Sequence, residues 1–236
     1  MFKKILIAFI ALSVTLWANN LKIATGAGYK QPIMEIVNIY KKNGKKLDAF
    51  FGNMKQVSAQ AKQTDMSLII GDKSFLEEKS ALNFNKFSTL RKGKVVIAFP
   101  KNKKINTIED LLNQNIKKIS MPQPKKAIYG IAGEEFLKNS NLYEGVKDKL
   151  LEVATVPQAM TYIIANEVDA AIVNLTAALA NKNNIGGYIL VPEEYYTDIE
   201  IVAGELETCK KNKECEEFVQ FLLSPVAKEI FINYGL

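Results

Sequence analysis

The sequence predicts an α/β protein, with parallel or mixed sheets covered by helices on both faces. Three observations carry that expectation. Short apolar runs of strand length alternate along the chain with amphipathic stretches of helical period, the pattern of strands joined by crossover helices. The 236 residues are generous for one domain and natural for two lobes of about 100 residues each. The composition, 24% charged and 48% apolar, is globular, and there is neither an internal repeat nor a long low-complexity linker.

The elements follow in order. Residues 1–18, MFKKILIAFIALSVTLWA, join a positive start at Lys3-Lys4 to an apolar core and a small residue, Ala18. This is the pattern of a signal peptide cleaved after Ala18, and its core is too short for a comfortable membrane span. It predicts an exported, periplasmic protein, and without a cysteine beside the cleavage point a lipid anchor is not expected. Leu21–Ala24 reads as a strand, followed by the turn Gly26-Ala27-Gly28 and a helix with Pro32 in its first turn. Leu47–Phe51 and Met66–Ile70 read as strands flanking a helix at Val57–Lys62. Lys94–Phe99 is a strongly apolar strand closed by Pro100, and Thr107–Gln114 opens with a near capping box. Ile119–Met121 is a strand before a helix at Gly130–Leu137; Glu152–Thr155 leads into a helix at Gln158–Ala165. Ala170–Val173 is a buried strand with a helix from Thr176, and Ile189–Pro192 and Ile199–Ala203 are further strands. Glu216–Phe231 is an amphipathic helix broken by Pro225, with the chain turning at Gly235.

Composition excludes several chemistries. With no histidine, Ser-His-Asp and Cys-His nucleophile pairs and histidine-bearing zinc sites are out. Two cysteines are too few for a four-thiolate zinc site or an iron–sulfur cluster. In an oxidising compartment Cys209 and Cys215, six positions apart, are expected to form a local disulfide that pins the start of the last helix. The formal net charge of +6 falls to +4 without the leader's two lysines, and the lysines are scattered without interleaved aromatic residues. Nucleic-acid binding is therefore not expected. The adjacent Glu134 and Glu135 point in different directions on a helix, so no paired-carboxylate enzyme is indicated. Gly26-Ala27-Gly28 lacks the third glycine of a dinucleotide turn, and no cofactor is expected. Met54, Met121 and Met160 could offer thioethers to a soft ion such as Cu(I), core packing being the alternative, and no metal site is expected from them.

Three stretches carry a family likeness: LKIATGAGYKQPIMEIV near the mature N-terminus, SMPQPKKAIYGIAGEEFL at 120–137, and the closing FVQFLLSPVAKEIFINYGL. Together they resemble the periplasmic molybdate-binding protein family, the solute receptors of an oxyanion-importing ABC transporter. The resemblance implies a two-lobed periplasmic binding protein (type II), each lobe a mostly parallel sheet flanked by helices, with the ligand in the cleft. Lobe one would be 19–97 plus 200–236 and lobe two 98–199, with hinge motion near Lys94–Phe99 and Ile199–Ala203. The implied ligand is a small oxyanion, molybdate or tungstate. The implied partners are an inner-membrane permease with its ATPase, and the chain would work as a monomer without enzymatic activity.

Carried over by position, the resemblance places ligand contacts at Gly28, with Ala27 and Tyr29 beside it, and at Met54, with Asn53 before it. In lobe two it places them at Tyr129, Val156 and Asn174. Gly28 offers only its N–H where the family usually has a hydroxyl or amide, and Met54 stands where the family typically shows serines. Those departures open two further readings: the same fold taking a different anion or a small organic acid, or a sensor or interaction protein with a degenerate oxyanion site. Tyr29 and Tyr129 could face each other across the cleft as a lid or stacking pair, or brace their own turns.

Overall fold

The computed structural model describes residues 20–236, so the leader expected at 1–18 lies outside the described residues. The first lobe is built on β1 (Leu21–Gly26), α1 (Lys30–Lys42), β2 (Leu47–Gly52), α2 (Met54–Ala61), β3 (Leu68–Asp72), α3 (Lys73–Glu78) and β4 (Lys86–Gly93). The second holds β5 (Val95–Phe99), β6 (Ile119–Pro122), α4 (Ile128–Asn139), α5 (Tyr143–Val146), β7 (Leu150–Val153), α6 (Val156–Ile164), β8 (Ala170–Asn174), α7 (Leu175–Ala180) and β9 (Gly187–Leu190). The chain then returns through β10 (Ile199–Glu205) and ends in α8 (Lys213–Leu222) and α9 (Pro225–Asn233).

Two five-stranded sheets result, ordered β2-β1-β3-β10-β4 and β7-β6-β8-β5-β9. β1 pairs in parallel with β2 and β3, and β6 with β7 and β8, as crossover helices require. The pairs made by β10 and β5 are antiparallel, because these strands enter each sheet from the other lobe. The sheets are thus mixed, with a larger antiparallel share than expected. Their central strands are buried along their whole length: β3, β5 and β8 show no exposed position. The helices cover them with one apolar stripe each, as α1 does with Ile33, Ile36, Val37 and Tyr40 at helical spacing.

The crossing falls at a single residue, Lys94, between β4 and β5, and in the segment before β10. Val95, Val96 and Ile97 pair with β8, so they belong to the second sheet and not to the first lobe as the expected bounds had them. The two crossings run side by side. Lys92 pairs with Asp198 at 2.7 Å, Lys94 with Glu193 at 3.1 Å, and the Val95 N–H donates to the Tyr196 hydroxyl at 3.3 Å. Cys209 and Cys215 are disulfide-bonded and fully buried, tying the turn after β10 to the first turn of α8. The closing helix is two helices, with Ser224 capping α9 ahead of Pro225.

Three elements went unread in the sequence, among them the four-residue α5. β4, KFSTLRKG, carries charge on its solvent face and looks like loop. α3 is only six residues long and starts at the Asp72 cap.

Candidate functional site

The carboxyl ends of β1, β2, β6 and β7 each lead into a helical turn, and these turns meet between the lobes. After β1 comes a 3-10 turn, Ala27–Tyr29, that runs into α1. After β2, Asn53 caps α2: its Oδ1 accepts from the Gln56 N–H at 2.9 Å, while Gln56 Oε1 accepts from the Asn53 N–H at 3.0 Å. This reciprocal capping box starts α2 at Met54, three residues earlier than the apolar pattern suggested. In the second lobe Ala127 precedes α4, and Thr155 caps α6 by accepting from Gln158 N–H at 3.3 Å.

These turns enclose a cavity of about 30 Å³, room for about two water molecules. It is lined by Ala27, Gly28, Tyr29, Asn53, Met54, Tyr129 and Val156, together with Gly26, Gly52, Ala127, Ile128 and Thr155. No charged side chain lines it. The N–H groups of Met54, Lys55, Ile128, Tyr129 and Val156 occupy the first two positions of α2, α4 and α6, where no preceding carbonyl lies within reach in the helix. With the turn at Gly28 they form a set of backbone donors at the positive ends of three helix dipoles.

The lobes also bond directly. The Tyr29 hydroxyl donates to the Tyr129 hydroxyl at 3.1 Å, the rings meeting edge-on with centroids 6.0 Å apart. Asn174 Nδ2 donates to the Gly28 carbonyl at 3.0 Å, and Asn53 Nδ2 to the Ala154 carbonyl at 3.4 Å. Gly28 is needed for that approach: a Cβ there would lie 3.0 Å from Asn174 Nδ2 and 3.5 Å from Val156 Cγ2. Asn174 does not line the cavity. Its Oδ1 caps α7 by accepting from Ala177 N–H at 3.2 Å, so both ends of its amide are engaged. Asn53 is engaged in the same way, through Oδ1 and one of the two N–H groups on Nδ2, and it lines the cavity.

Met54 fixes the floor of the cavity. Its thioether lies over Gly71 of β3, where any Cβ would clash with it, and 3.4 Å from a Cβ placed at Gly26. Met121 is buried against Gly133 and Ile172 in the second lobe, and Met160 lines a different groove, so the three thioethers are not brought together. Glu134 pairs with Lys138, and Glu135 accepts from the Thr197 N–H, on separate partners.

Burial pushes the Tyr29 phenol well above its ordinary range, helped by Tyr129 and by the carboxylate of Asp72. Tyr129 is raised too, chiefly by burial and partly offset by hydrogen bonds from Tyr29 and Asn174. Both phenols are therefore neutral at physiological pH and add no negative charge. Burial raises Asp72 as well, against hydrogen bonds from Ser74 and the Phe75 N–H. The arrangement sets mostly apolar walls beside the N-terminal turns of three helices.

The sequence reading missed Gly52, Ala127, Ile128 and Thr155 as lining residues. The Thr155-Val156-Pro157 run, a cap before a first-turn proline, was the available signal for Thr155.

A two-lobed fold with the strand ends facing a shared cleft defines a ligand-binding receptor. Residues 21–236 match the bacterial extracellular solute-binding protein family, and the chain belongs to it. It is 26% identical to a putative binding protein of Haemophilus influenzae, over 97% of this chain and 95% of the relative. It is also 26% identical to the molybdate-binding protein ModA of Azotobacter vinelandii, over 92% and 90% of the two chains. Among solved structures, the periplasmic molybdate-binding protein of A. vinelandii superposes with a TM-score of 0.81 at 21% identity, over 92% of this chain and 98% of the other. PEB3 of Campylobacter jejuni, bound to L-phospholactate, superposes with a TM-score of 0.75 at 20% identity, over 92% and 98%. The resemblance in the three sequence stretches holds at the level of the family, which is one of binding proteins.

Proposed function

We propose that this protein is the solute receptor of an ABC importer and captures a small anion between its lobes. The leader would deliver it to the periplasm, where as a monomer it hands its cargo to an inner-membrane permease driven by an ATPase. One observation carries the reading: a turn and three helix starts, whose first N–H groups have no partner within the helix, line a cavity lined by no charged side chain. Such donors form short, strong, charge-assisted bonds to an oxyanion, and the absence of a full counter-charge keeps release possible. The lining of Tyr29, Met54, Tyr129 and Val156 would dehydrate the anion as the lobes close about the crossings at Lys94 and before β10.

Molybdate is the first candidate, supported by the relatives described as molybdate-binding, and tungstate stands beside it as the resemblance implies. A different or organic anion is the second reading, favoured by Gly28 and Met54, which supply no side-chain donor. Thermal unfolding against molybdate, tungstate, sulfate, phosphate and small carboxylates tests both. A ligand at 100 times its Kd stabilises the fold by about 2.7 kcal/mol. A rise with molybdate and tungstate alone selects the first reading, and a rise only with an organic or other anion selects the second. No rise with any anion rejects the proposal.

A further inference from the structure

Gly93 ends β4 and is the last residue of the first lobe before the crossing at Lys94. Its partner across the sheet is Ile199, the first residue of β10, so this pair marks where both crossings meet the first lobe. The second lobe sets Tyr129 against it, from the first turn of α4. A Cβ at Gly93 would overlap the Tyr129 hydroxyl and lie 3.1 Å from Ile199 Cγ2. Backbone conformation does not call for glycine here: among the described residues the glycines with positive φ are Gly44, Gly187 and Gly235. What the position excludes is a side chain. The tyrosine has no room to swing aside, being 3% exposed, with its hydroxyl accepting from Tyr29 and its side chain lining the cavity. One residue therefore touches the crossings with its hydroxyl and the ligand cavity with the rest of its side chain, and close packing carries a displacement from one end to the other.

We propose that Gly93 is the seat of Tyr129 and a positioning residue of the binding site. The bare glycine lets the tyrosine settle onto the crossings as the lobes close, and that seating fixes the cavity wall. Gly93 does not line the cavity, so it acts through the tyrosine. The inference rests on the reading of the cavity as the anion site and deepens it by naming what couples that site to the hinge.

A cycle of four proteins tests it: the parent, Gly93→Ala, Tyr129→Phe and the double variant. Each is measured by small-angle scattering without ligand and by titration calorimetry with molybdate. Tyr129→Phe removes the overlapped oxygen and leaves the ring carbon Cζ 3.3 Å from the added Cβ, a contact that a small shift relieves. Gly93→Ala alone is expected to enlarge the radius of gyration and to weaken molybdate binding about tenfold, the scale of an overpacked contact. Added to Tyr129→Phe, the same substitution is expected to leave the radius of gyration unchanged and to move the affinity by no more than about twofold. A Gly93→Ala protein that matches the parent overturns the proposal. So does a loss of the same size in both backgrounds, which assigns the effect to Ile199 and the strand. Gly93→Ala that folds only together with Tyr129→Phe supports the seat, and failure of both to fold overturns it. Molybdate that binds none of the four counts against the molybdate reading of the cradle, and the scattering comparison then decides the seat by the same criteria.

Discussion

Thr176 and Gly28 sit on opposite lobes and invite opposite substitutions. Because the Thr176 hydroxyl is buried without a partner, Thr176→Val should raise the unfolding free energy of the protein in anion-free buffer by about 1 kcal/mol, measured by urea denaturation. Gly28→Ala should act on binding instead. Its Cβ would meet Asn174 Nδ2 at 3.0 Å, so either the bridge to the Gly28 carbonyl breaks or the lobes stand apart. Anion affinity should fall about tenfold, the equivalent of about 1.4 kcal/mol, and an unchanged Kd would show that closure does not need this contact. The glycine was legible in the sequence as a turn residue after a strand. That it admits an asparagine from a residue 146 positions away was not, since no local pattern encodes a contact at that separation.

At the scale of elements, helix starts were harder to read than strands. Strands such as Val95–Phe99 and Ala170–Asn174 are continuous apolar runs and show up directly. The start of α2 depends on an Asn53–Gln56 box that leaves no mark in the apolar period, and β4 hides behind its charged outer face. One polar clip holds strand starts in register. Asp169, just before β8, accepts from the N–H groups of Lys117 and Lys118 at 2.7 and 3.1 Å and pairs with Lys103 at 2.9 Å. Burial alone would raise its pKa, but Lys103 and the two N–H donors outweigh burial and lower it. A carboxylate held below its unfolded value stabilises the fold above the unfolded pKa of about 3.9 and loses that contribution as pH falls through the folded value. Asp169→Asn should therefore cost about 1.5 kcal/mol at pH 7 by denaturant titration. The gap from the parent protein should close in strong acid; a gap that persists there would assign the effect to packing.

For the whole molecule the question is what holds two lobes joined by only two crossings. Three direct hydrogen bonds bridge the cleft, from Tyr29, Asn174 and Asn53. Tyr129→Phe deletes the acceptor of the first and leaves the Tyr29 hydroxyl buried without it. A loss of about 1 kcal/mol shifts the open–closed balance about fivefold toward open. Small-angle scattering should then give a larger radius of gyration than the parent, and identical curves would mean that the tyrosine bridge adds nothing to closure. The same substitution leaves the backbone donors of α2, α4 and α6 in place, so binding of a tight anion should restore the compact form.

By itself the sequence determined the α/β class, the order of most strands and the local disulfide between Cys209 and Cys215. Each rests on short-range information: apolar period, turn residues, or two cysteines within one loop. The sequence's likeness to the molybdate-binding family, carried over by position, named Ala27–Tyr29, Asn53-Met54, Tyr129, Val156 and Asn174 as one set. Only the tertiary structure decided what those residues do to each other. Asn53 and Asn174 were named as candidate donors, and folding turns both into caps and interlobe bridges, because a buried amide must satisfy its own groups first. Met54 was named as a contact, and burial over Gly71 makes it the floor. Thr176 was passed over, since a threonine in a helix carries no local sign that its hydroxyl will be sealed in without a partner beside a groove between lobes.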